Sequence, residues 1–146
     1  MTEYGWNLCH ARIVRRSGGQ AIVEMALVLV IFLSIVIGII EFGRAFMVMN
    51  VLTTASRDGA RAAAVQANLT TDDPAVVQRT KQVLSNAGLD PVTSGAIVEV
   101  KPPASRGGLV TVTVTLPNYQ PISGAGGFIG LGTIQLKKTT SMRQEG

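Results

Sequence analysis

The chain has 146 residues, a net charge of +4 and 47% hydrophobic residues, a length that suits one modest domain. Its one cysteine and one histidine, Cys9 and His10, lie near the amino terminus with Trp6, so the rest offers no disulfide, thiol nucleophile, imidazole base or soft-metal ligand. No basic block or basic-aromatic interleaving points to nucleic acid, and no cofactor is expected.

Residues 1–19 read as a basic leader, with Arg12, Arg15 and Arg16 just before an apolar run. From Ala21 to Ile40 the one charge is Glu24. At ~1.5 Å per residue this stretch spans roughly 30 Å, the thickness of a hydrocarbon core. A domain this small could hardly surround such a helix on all sides, so residues 21–40 are expected to cross a lipid bilayer. Beyond the run Glu41 and Arg44 cancel, and the charge asymmetry places the amino end in the cytoplasm and the carboxyl end outside.

The junction reads R-R-S-G-G-Q-A-I-V-E-M from Arg15 to Met25. Gly18 and Gly19 are expected to break the helix before it begins, leaving an extended peptide for a protease cleft. An ordinary secretory signal puts a small-x-small site just after its apolar run. None closely follows Ile40, and Ala62-Ala63-Ala64 reads better as helix, so the apolar segment should stay on the mature chain. Glu24 stands one turn into the expected helix, where the dipole favours an anion. An ionisable group at such depth is costly without a partner, which makes it a functional candidate; the alternative is a solvated glutamate at headgroup level.

Gly19 followed by Q-A-I-V-E resembles a class III (prepilin) signal. That resemblance implies a cut by an aspartic prepilin peptidase between Gly19 and Gln20, leaving residues 20–146. It also implies an assembly role for Glu24, opposite the new amine of Gln20 or that of a neighbouring subunit. The stretches G-I-I-E-F-G-R-A-F (Gly38 to Phe46) and A-S-R-D-G-A-R-A-A-A (Ala55 to Ala64) resemble the TadE-like family, minor pseudopilins of the tight-adherence (Flp/Tad) pilus assembly system. The resemblance runs from Gly19 to about Gln66, and is weaker beyond. Met25 departs from it, at a position where an aromatic is expected. The resemblance implies a structural, non-enzymatic protein of the inner membrane or of a surface pilus used in adhesion. Its partners would be other pseudopilins, the major pilin and the inner-membrane assembly platform.

The helix is expected over residues 20–66, about 70 Å at the usual rise, as a membrane span continuing into a stalk. Phe42, Phe46 and Met49 mark one apolar face; Val48, Leu52, Ala55, Gly59 and Ala62 mark a second. Asp58 and Arg61, three apart, can interact along the helix. Small residues recur every four positions: Ser34 and Gly38, then Ala55, Gly59 and Ala63. Such stripes let backbones approach closely, although alanine needs no partner to be helical. The outer stripe is expected against the protein's own sheet, and Ser34 and Gly38 against another pseudopilin.

Residues 67–146 read as an α+β head. Asn68 to Asp73 is a polar turn, and Asp73-Pro74 opens a second helix that Gly88 ends. Ala75, Val76, Val77, Val83 and Leu84 form its apolar side. Strands are expected over Ala96–Lys101, Leu109–Leu116 and about Thr133–Met142, the first two joined by a turn over Ser105–Gly108. Together they make a three-stranded antiparallel sheet packed on the helices. The loop Pro117–Gly132 holds Tyr119, Ile122, Phe128 and Ile129, which can touch a partner or fold onto the core. Its glycines lack dinucleotide-binding spacing, and no lysine-serine pair follows.

Two other classes compete with the assembly role. An uncleaved, membrane-anchored binding module would need no processing at Gly19. An exported peptide with a double-glycine leader would not keep a full membrane span. The carboxylates beyond the leader form no recognisable catalytic cluster.

Overall fold

The structure, a computed structural model, describes residues 18–105, 107–120 and 133–145. Cys9, His10, Trp6 and the leader arginines, and Ile122, Phe128 and Ile129 of the loop, lie outside the described residues. Five elements follow in chain order: helix α1 (Gly18–Ala64), helix α2 (Pro74–Asn86), and strands β1 (Ile97–Lys101), β2 (Leu109–Tyr119) and β3 (Ile134–Arg143). This is the α+β arrangement the sequence indicates.

Helix α1 starts two residues earlier than the pattern suggests, with Gly18 and Gly19 already in its first turn. Glycine can adopt helical angles; its entropic cost of ~1 kcal/mol weakens a helix without forbidding it. The described residues divide into two units, one up to Val36 and one from Ile37 onward. In the first, the large apolar side chains from Ile22 to Ile35 are all exposed.

The second unit has a true core. The sheet order is β1-β2-β3, antiparallel throughout. Val98 faces Val114 and Val100 faces Val112, and β3 pairs with β2 from Leu109–Arg143 to Leu116–Leu136. One face of this sheet carries Val98, Val100, Val110, Val112, Val114 and Leu116, all buried with Leu52, Ala55, Ala60 and Ala63 of α1 and Val76 and Leu84 of α2. Alternation in β1 gives this directly: Val98 and Val100 are buried, and Ile97, Glu99 and Lys101 exposed.

Helix α2 begins as its sequence requires. The Asp73 carboxylate accepts from the Ala75 N–H at 3.0 Å, and Pro74 fills the first position. It ends where Gly88 takes a positive φ of 80°, with the Leu89 N–H donating to the Leu84 carbonyl at 3.0 Å. Its inner side differs from the expected one: Ala75 is exposed, and Thr80 is fully buried beside Val76 and Leu84. Thr80 can sit there because its hydroxyl donates to the Val76 carbonyl at 2.8 Å.

Strand β2 runs three residues beyond its expected end, to Tyr119, with an irregularity between Leu116 and Tyr119. Pro117 cannot donate to the ladder, and such an interruption accommodates it. The loop therefore begins after Tyr119. The tyrosine is buried with the core, not presented on a loop.

Candidate functional site

The residues singled out in the sequence fall in three places. Gly19, Gln20 and Glu24 are on the exposed start of α1. A Cβ at Gly19 would meet nothing within 4 Å. Because the helix starts at Gly18, Glu24 lies in its second turn, and the first turn holds no acid.

Ser34 and Gly38 are exposed further along the same helix. The Ser34 hydroxyl donates to the Val30 carbonyl at 2.8 Å, which satisfies it locally. A Cβ at Gly38 meets nothing within 4 Å. Among the described residues, α1 is the one helix long and apolar enough to cross a membrane, and none of its most apolar window is buried by protein.

The outer small-residue stripe is placed differently. Ala55 and Ala63 are fully buried, and Gly59 lies where α1, α2 and β2 converge. A Cβ at Gly59 would fall on the Thr80 hydroxyl and lie 3.2 Å from Val112 Cγ1. The absence of a side chain at Gly59 is what lets the two helices approach. The adjacent face is pinned by a long-range hydrogen bond of 2.7 Å between the Ser56 and Thr140 hydroxyls.

Three polar contacts were not legible in the sequence. Asp58 does not pair along the helix with Arg61; Arg79 of α2 donates to its carboxylate at 3.3 Å. Asp72 takes a positive φ of 53°, and its carboxylate accepts from the Val100 N–H at 2.8 Å while its own N–H donates to the Val100 carbonyl at 3.0 Å. That pair occupies backbone groups on the outer edge of β1. At the chain end, the Gln144 amide donates to the Gln66 carbonyl at 2.6 Å and the Glu145 N–H to the Ala64 carbonyl at 3.0 Å. These bonds satisfy carbonyls at and just past the end of α1. Only the Asp-Asp pair in a polar turn hinted at any of them.

Asp90 heads a tight turn before β1. The Thr93 hydroxyl and the Val92 N–H, which donate to it at 2.6 and 3.0 Å, hold its carboxyl below the usual range. No group of metal-binding side chains occurs among the described residues.

Residues 19–61 match the family model described as TadE-like protein. No curated protein and no solved structure matches the chain.

Proposed function

With residues 19–61 of α1 TadE-like as the premise, we propose that this chain is a minor pseudopilin of a tight-adherence pilus assembly system. It is anchored in the inner membrane through residues 21–40, with its amino end cytoplasmic, and is matured by a prepilin peptidase that cuts after Gly19. The observation that carries this reading is that the matched segment contains the exposed apolar helix. The large apolar side chains from Ile22 to Ile40, the half-buried Val36 excepted, keep 41% to 71% of their surface uncovered, which in water is a large penalty and in lipid none.

The cut removes Gly18 and Gly19 from the helix start. Gln20 then carries the new amine, and Glu24 stands one turn away on the same face. The carboxylate becomes an anion near a fresh helix amino terminus, or a partner for the amine of a neighbouring subunit. The partners are other pseudopilins, the major pilin and the membrane platform. The part played by this chain is structural, and no catalytic role is assigned to it.

The test is the intact mass and amino-terminal sequence of membrane-extracted protein, with and without the host's prepilin peptidase. A peptidase-dependent start at Gln20 supports the reading. A start at Met1 in both strains overturns it and favours an uncleaved anchored binding module. A bulky residue at Gly19 should block processing but not insertion, and Glu24→Ala should spare cleavage and impair piliation.

A further inference from the structure

Beyond Ile40, α1 has one exposed stripe, and its chemistry changes along its length. At the start Phe42, Phe46 and Met47 are 82%, 69% and 63% exposed. Phe46 and Met47, beside the bare backbone of Gly43, face Val83 and Ala87 of α2 across an open groove of about 380 Å³. Roughly 17–22 Å further along the axis, at the helical rise, the same stripe carries Arg57 and Arg61. Both are exposed, and neither has an ion pair among the described residues. The neighbouring acid, Asp58, is engaged by Arg79.

An apolar notch between two helices is a shape that a third helix fills. Two cations one turn apart complement carboxylates spaced the same way on that helix. A second copy laid alongside in register is disfavoured, because Arg57 and Arg61 would meet their own counterparts. We infer that this stripe docks a helix from a different chain, apolar where it meets Phe46 and Met47 and acidic where it passes Arg57 and Arg61. The surface rests on the assembly reading only for the source of that helix, a subunit anchored in the same membrane and running alongside α1.

The experiment uses the full chain in lipid nanodiscs and two designed helical peptides of about six turns. The peptides share one leucine face and differ in two residues at the arginine level, Glu in one and Lys in its twin; a photo-crosslinker at Asn50 reports seating, with empty nanodiscs as the control. The Glu peptide is expected to bind at least about tenfold tighter than the Lys twin, and R57E/R61E to reverse the order. Met47→Asp should weaken both. Equal binding of the twins, a preference that survives R57E/R61E, or no saturable binding overturns the inference. None of these variants touches Gly19, Gln20 or Glu24, so cleavage is read separately. Lost docking with normal cleavage sinks the surface alone, and an uncleaved chain that still prefers the Glu peptide sinks the pseudopilin reading alone.

Discussion

Helix α1 contains two regimes. Its early part carries the largest apolar side chains and buries almost none of them: Ile31 and Phe32 are 59% and 60% exposed. Its later part buries Leu52 and a set of small residues, among them Ala55, Ser56, Gly59, Ala60 and Ala63. Burial by protein thus runs opposite to side-chain hydrophobicity. The difference teaches that helix formation and core formation are separate here. The first regime suits an apolar solvent and needs no tertiary partner, whereas the second exists to bring backbones together over a sheet.

Substitutions can break this comparison. The largest effect is expected from Val112→Asp, which puts a carboxylate into a fully buried position under both helices. It should cost more than about 4 kcal/mol and abolish cooperative unfolding of residues 37–146, followed by circular dichroism in mild detergent. Leu29→Asp should leave that transition in place and instead reduce membrane retention, by roughly 2.5–3.5 kcal/mol of insertion free energy. If both lowered the melt equally, the two regimes would be one.

Next comes the helix crossing. Gly59→Leu should destabilise by at least ~1–3 kcal/mol through overpacking, and Thr80→Ala should recover part of the loss in Gly59→Ala, since the added Cβ falls on the Thr80 hydroxyl. Gly38→Ala, with open space around it, should not lower the same melt. A smaller loss of about 1–2 kcal/mol is expected for Ser56→Ala, which strands the Thr140 hydroxyl. Asp73→Ala should cost ~1 kcal/mol by uncapping α2.

The smallest effect is one of pH. The Asp90 carboxyl is lowered below its ordinary 3.8, so the stability it contributes is fully present above that value and is lost as the pH falls through the folded value. Asp90→Asn should remove that increment, lowering stability slightly at neutral pH and leaving it almost unchanged at strongly acid pH, so that the acid limb of the stability curve flattens. A loss of the same size at pH 7 and in strong acid would mean the turn needs the side chain for its shape and not for its charge.

What the amino-acid sequence determined by itself was local or periodic. The charge-poor run of residues 21–40, the Asp73-Pro74 start and Gly88 stop of α2, and the alternation in β1 and β2 depend on neighbours a few positions away. Their elements therefore appear nearly where the pattern puts them, with the ends of α1 and β2 shifted by a few residues. Periodicity also showed that α1 has two apolar faces. The small-residue stripe on the Leu52 face pointed to the sheet, but periodicity could not say that Phe42 and Phe46 stay open while Met49 of the same face packs against the core, because that depends on where the sheet lies. Tertiary structure alone decided that Asp58 turns to Arg79, that Asp72 closes part of the β1 edge, that Thr80 goes inside, and that Tyr119 joins the core. Each of these follows from a partner distant in the chain, and the free energy of such a contact is set by geometry that no local pattern contains.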